Sequence, residues 1–172
     1  MNMSPKSLDA PLLAEQLEAD LEATGLAASA LGIEITERAV VEGSEDTRQT
    51  LARLRALGVE LAADDFGTGF SSLSALIQRP VDVLKIDRSF VNELPTEASV
   101  AVVRAIVAMA AALGLRTVAD GVEREEQLAA VRGLDCDRVQ GFLLARPMPL
   151  ETLMQRYAGR AVRVPLPAHT PR

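Results

Sequence analysis

Leu61-Ala62-Ala63-Asp64-Asp65-Phe66-Gly67-Thr68-Gly69-Phe70, residues 61–70, is an apolar run that stops on two adjacent carboxylates and passes into a glycine-rich turn. Residues 59–63 have the composition of a buried strand, and such a strand has no local reason to finish with charge. The same ending recurs along the chain. Glu34 and Glu37 stand at the C-terminal end of a run at residues 30–36, Lys85 and Asp87 at that of one at 81–86, Asp120 and Glu123 follow one at 115–119, and Gln140 falls in the last, 138–141.

Between these runs lie stretches of helical period. Residues 10–24 place Leu12, Leu13, Leu17 and Leu21 on one face and stop at Gly25, while residues 44–57 open on a capping serine and stop at Gly58. Helices are also predicted over 71–78, 99–113, 125–132 and 150–157. Strands alternating with helices imply an α/β fold of parallel strands joined by helical crossovers. In such folds the strand C-termini open at one rim, where ligands bind. The proline-bearing tail, residues 159–172, reads as disordered beyond a domain of residues 1–158.

Composition narrows the functions available. The chain has 172 residues, 48% apolar and 24% charged, enough for one core of domain size. Its 18 basic and 24 acidic residues leave a net charge of −6, which argues against an electrostatic grip on a nucleic-acid polymer or an anionic membrane. No apolar stretch approaches the roughly 20 residues of a membrane span. Cys136 is the single cysteine, so neither an internal disulfide nor a cysteine-rich zinc site can form, and a cytoplasmic setting fits.

Carboxylates gathered at one rim repel one another and stay ionised only beside a strong opposing charge. Oxygen donors without cysteine or histidine favour a hard ion, Mg²⁺ or Mn²⁺, over zinc. Asp64 and Asp65 would point in opposite directions on a regular strand, so both reach one site only where the strand end twists or bends. A two-metal arrangement would suit phosphoester hydrolysis. The bland alternative is that a strand-end acid caps the next helix or is simply solvated. Lys85 is harder to set aside, because Val83, Leu84 and Ile86 around it are apolar. The Gly67-Thr68-Gly69 segment lacks the Gly-Lys-Ser or Gly-Lys-Thr of a phosphate-binding P-loop.

The runs Glu34-Ile35-Thr36-Glu37, Asp64 through Leu73, Leu84-Lys85-Ile86-Asp87, Ala119-Asp120-Gly121-Val122-Glu123 and Val139-Gln140-Gly141-Phe142 together closely resemble the EAL-domain family, whose members hydrolyse cyclic di-GMP to linear pGpG. The resemblance implies a (β/α)₈ TIM-type barrel with a two-metal site of Mg²⁺ or Mn²⁺. It places Asn2, Glu34 and Asp64 on the first ion and Asp65 on the second. Lys85 would hold the attacking water or the scissile phosphate, and Gln140 would contact the substrate. Glu37 and Glu123 would hold the loop from Phe66 to Leu73, which the family ties to dimer formation.

Two departures from the family pattern stand out. The Glu-Ala-Leu run that names the family is absent, with the strand before it, so about six of eight β/α units are expected and the barrel is incomplete. Asp120 stands where the family carries a glutamate acting as general base or metal ligand. The shorter side chain withdraws its carboxylate by about 1.5 Å, roughly one carbon–carbon bond. Activity is therefore expected to be reduced or absent. An incomplete barrel exposes sheet edges, and association with a second copy or completion by another chain or domain follows.

Two other readings compete. A degenerate, non-catalytic module would bind cyclic di-GMP or a protein partner. A phospho-acceptor receiver domain also uses acids and a lysine on a parallel sheet, but there the acid pair lies near the chain start and the lysine on the last strand; here two strands follow Lys85.

Overall fold

The computed structural model describes residues 1–67 and 80–157. The helix expected over 71–78, most of the glycine-rich segment and the tail from 159 onward lie outside the described residues. The core is a parallel sheet of five strands: β1 (Gly32–Thr36), β2 (Glu60–Phe66), β3 (Val83–Ile86), β4 (Arg116–Ala119) and β5 (Arg138–Val139). An isolated parallel bridge between Asn2 and Glu34 adds a sixth segment outside β1.

Each strand pairs with the next in sequence, in the order β1-β2-β3-β4-β5. A doubly wound sheet reverses its order at a switch point, and this one does not. The receiver reading therefore fails on topology, and the sheet is an arc of a β/α barrel.

Helices flank the sheet. They are α1 (Pro5–Leu8), α2 (Leu13–Thr24), α3 (Glu37–Glu42), α4 (Glu45–Ala56), α5 (Arg88–Asn92), α6 (Glu97–Ala112), α7 (Glu125–Gly133) and α8 (Leu150–Tyr157). Strand side chains alternate. Ile33, Ile35, Leu61, Ala63, Leu84, Ile86 and Ala119 point outward and are buried with Leu51 and Leu54 of α4, Val103 and Ile106 of α6, and Val131 of α7.

The sequence signals placed the long helices well because caps and stops are local. Ser44 Oγ accepts the Thr47 amide at 3.0 Å to open α4. The predicted start of α6 at Ser99 is corrected to Glu97: Thr96 is the cap, and the Ser99 hydroxyl, buried, donates to the Phe90 carbonyl at 2.9 Å. Three short helices had no periodic signal of their own. Two of them, α3 and α5, start directly at strand ends, capped by Thr36 and Asp87. At Asp87 the bland capping role does hold, its carboxylate accepting the Ser89 amide at 2.9 Å.

The concave face carries Glu34, Glu60, Ala62, Val83, Lys85 and Val118 around a cavity of about 220 Å³. At its floor Glu60 receives Arg116 at 2.6 Å and Arg138 at 2.7 Å, joining β2, β4 and β5. Burial raises the Glu60 pKa, but the hydrogen bond and charge of Arg138, aided by Arg116, outweigh it and hold the carboxyl below its ordinary value. A depressed carboxylate contributes stability that is present above its unfolded pKa and lost as pH falls through the folded one. Glu60→Gln should therefore lower the urea midpoint relative to the unaltered chain at pH 6, and the difference should shrink as the pH falls through the titration of the folded carboxyl.

Candidate functional site

At the opposite, C-terminal ends of the strands, Lys85 of β3 is 4% exposed and its ammonium lies among three carboxylates from three other segments. Nζ donates to Glu34 Oε2 at 2.7 Å and pairs with Asp64 Oδ1 at 2.9 Å and Asp120 Oδ2 at 3.7 Å. Burial depresses the Lys85 pKa. Its hydrogen bonds to Glu34 and Asp64 more than offset this, so the net shift is upward and the group is an ammonium throughout the neutral range.

The bend that two adjacent acids require is present. The β2–β3 register breaks between Ala63 and Phe66, and Asp65 takes a left-handed backbone at φ 56°. Aspartate tolerates that region better than most residues. Burial first, then the charges of Asp64 and Asp87, push the Asp65 carboxyl above its ordinary value, against the pull of Lys85. Just beyond, Gly67 donates its amide to Glu37 Oε2 at 2.9 Å, so Glu37 fixes the start of the loop it was expected to anchor. Gly67 has φ 99°, and a Cβ there would come within 2.9 Å of the Phe90 ring.

Asn2 sits beside Glu34 through a parallel bridge in which Met3 N donates to Glu34 O at 2.9 Å and Glu34 N to Met1 O at 2.8 Å. On the far side, Gln140 is tied to the Asp120 loop: its amide donates to Ala119 O at 2.9 Å and its carbonyl accepts from Val122 N at 3.0 Å. Glu123 lies on that loop and lines a second cleft. Most of the loop it was expected to hold, 68–73, is outside the described residues. Cys136 is buried.

Sequence reading missed Gln127, which is fully buried and accepts the Glu123 and Arg124 amides at 2.8 Å each. Arg124 in turn donates to the Asn92 and Leu94 carbonyls at 3.1 and 2.9 Å. A glutamine three residues into a helix was the available signal, a capping-box pattern opened here by an arginine.

Among the described residues no three acidic, histidine or cysteine side chains are arranged to hold a metal ion. The Lys85 ammonium draws the carboxylates instead. The donor chemistry nevertheless fits a hard cation, because every side chain at this mouth that could ligate offers oxygen.

A family model described as the EAL domain matches residues 1–147. The chain belongs to the EAL-domain family. It is 44% identical to the cyclic di-GMP phosphodiesterase NbdA of Pseudomonas aeruginosa over 89% of this chain and 20% of that one. The cyclic di-GMP phosphodiesterase RocR of the same organism is 40% identical over 92% of this chain and 41% of its own length. The chain thus spans about a fifth and about two fifths of these relatives.

Among solved structures, the phosphodiesterase PaMucR in complex with cyclic di-GMP superposes with a TM-score of 0.82 at 41% identity, covering 88% of this chain and 62% of that one. The EAL domain of DcpA from Mycobacterium smegmatis gives 0.85 at 43%, covering 91% and 71%. The five-stranded arc is accordingly an incomplete TIM-type barrel of an EAL domain.

The EAL rim depends on close backbone contact between the loops after β4 and β5. A Cβ on Gly141 would lie 2.1 Å from the Val122 carbonyl oxygen. Gly141→Ala should force these loops apart and lower stability by about 1–3 kcal/mol, the usual cost of overpacking, as read by denaturant unfolding.

Proposed function

We propose that this EAL-domain chain binds cyclic di-GMP at the strand-end mouth and, with two divalent ions, Mg²⁺ or Mn²⁺, hydrolyses it to pGpG at a reduced rate. The observation that carries the reading is the convergence of Glu34, Asp64 and Asp120 on buried Lys85. The relatives named cyclic di-GMP phosphodiesterases support it. So does the Klebsiella pneumoniae protein BlrP1, solved with cyclic di-GMP and manganese or calcium, which is 35% identical to this chain.

Asn2, Glu34 and Asp64 would hold one ion and Asp65 the other. Such ions lower the pKa of water and neutralise charge on the phosphoryl oxygens. Lys85, already ionised and buried, holds the attacking water or a phosphate oxygen. Asp120 would accept a proton from the water as its oxygen bonds to phosphorus and the bond to the ribose oxygen breaks, and would pass that proton on to the ribose oxygen, which leaves as an alcohol. Gln140 contacts the substrate beside Asp120, while Glu37 and Glu123 keep the loop after β2 in place.

The rate is reduced because Asp120 is short. Its carboxylate stands 3.7 Å from Lys85 Nζ, while Glu34 and Asp64 reach 2.7 and 2.9 Å. Displacement of a reacting group by about 1 Å can cost about 10²-fold. Among the described residues the sheet ends at the Asn2 bridge and at β5, and further strands from another chain or domain, or from a second copy, would complete the barrel there. A cytoplasmic setting suits the dinucleotide and the single thiol.

A second reading, a non-catalytic cyclic di-GMP-binding module, is favoured by the same 3.7 Å gap. Chromatographic assay of pGpG formation with Mn²⁺ separates the two. Asp120→Glu should raise the rate by about tenfold or more, within the cost of such a displacement, and Lys85→Met should abolish it. Binding without turnover in both the unaltered chain and Asp120→Glu would establish the module.

A further inference from the structure

Between the end of β4 at Ala119 and the start of α7 at Glu125, every backbone amide has an acceptor. Asp120 N donates to Ile86 O at 3.1 Å and Val122 N to Gln140 O at 3.0 Å, tying the loop to β3 and to the turn after β5. Gly121 N donates to Asp120 Oδ1 at 2.8 Å. Beyond Val122 both remaining amides, Glu123 N and Arg124 N, donate to one atom, Gln127 Oε1, at 2.8 Å each.

A helix cap alone asks for less. In a capping box the residue three positions into the helix accepts the amide of the cap residue, here Arg124. The Glu123 amide lies one residue further back, outside the helix, and its capture carries the grip into the loop. Gln127 is fully buried, and among the described residues its Nε2 has no hydrogen-bond partner. A buried donor without an acceptor is costly, so what this side chain contributes comes from its oxygen.

The loop closed by that oxygen carries the Asp120 carboxylate, whose two oxygens are divided. Oδ1 accepts the Gly121 amide, and Oδ2 stands 3.7 Å from Lys85 Nζ. The direction of the carboxylate therefore follows the peptide joining Asp120 to Gly121. Gly121 has φ 78°, and a Cβ there would come within 2.7 Å of Arg88 Cβ, so this backbone passes close against the start of α5.

We propose that Gln127 is a positioning residue for Asp120, fixing through the Glu123 and Arg124 amides the loop that aims one carboxylate oxygen at Lys85. What Asp120 does there rests on the proposed hydrolysis of cyclic di-GMP; how it is held does not.

Amide hydrogen exchange of the whole chain, followed by NMR, tests the positioning without turnover. In the unaltered chain the Gly121, Glu123 and Arg124 amides should open together, with one common dependence on low concentrations of urea. In Gln127→Met, Gly121 should exchange about tenfold faster or more, together with Glu123 and Arg124, while amides within α6 keep their rates. Gln127→Glu, whose carboxylate can accept both amides, should restore slow exchange at Gly121. In the pGpG assay kcat should fall by about tenfold or more in Gln127→Met with KM little changed, and recover in Gln127→Glu. Faster exchange confined to Glu123 and Arg124 would reduce Gln127 to a helix cap, isolated from Asp120 by the Val122 pairing, and overturn the proposal. Independent opening of Gly121 in the unaltered chain, a result that needs no variant to fold, overturns it too, as does an unchanged kcat in folded Gln127→Met. Absence of pGpG from every form, the unaltered chain included, sinks the hydrolysis reading and leaves the exchange rates to decide this one.

Discussion

A buried ammonium surrounded by carboxylates is the constraint on which the rim of this EAL domain depends. Lys85 is almost wholly withdrawn from water, and an unpaired charge at such depth would be costly. Glu34 and Asp64 satisfy it directly, with Asp120 at longer range, and each comes from a different segment of the sheet. The pairing fixes where β1, β2 and β4 end relative to β3. The acids solve their own mutual repulsion by sharing one cation.

Lys85 stays charged and oriented through the neutral range, and the carboxylates around it present only oxygen atoms to the mouth. At Asp65 the strand breaks register and takes a left-handed backbone, a local distortion next to the carboxylate cluster. The loops after β4 and β5 are zipped by backbone hydrogen bonds, with Gln127 clamping the first from below. Positioning at this rim is therefore chiefly backbone work, and the polar side chains inherit it.

Much of the fold was legible because its signals are local. Caps such as Ser44 and stops such as Gly25 and Gly58 lie within a few residues of the helices they bound, and the apolar runs at 59–63 and 81–86 need only their own composition. Boundaries failed where a residue had two plausible partners, as at Ser99, whose hydroxyl binds the Phe90 carbonyl instead of opening the helix. The short helices α1, α3 and α5 span too few turns to show a period. For the candidate site, the acids at strand ends were legible, and Glu34, Asp64 and Asp120 do converge on Lys85, but nothing in their spacing announced that Gln127 would be buried or that Arg146 would stack on Phe142.

Residue order alone determined that strands alternate with helices, that every strand but the last runs into charged residues, and that the available ligands are oxygen. These follow from side-chain chemistry and near-neighbour geometry. Tertiary structure decided the strand order, the register break at Asp65, and the choice of Lys85 as the shared partner of acids up to 51 residues away. Such choices depend on packing between segments far apart in the chain, where solvent exclusion and Coulomb attraction act only after the sheet has formed.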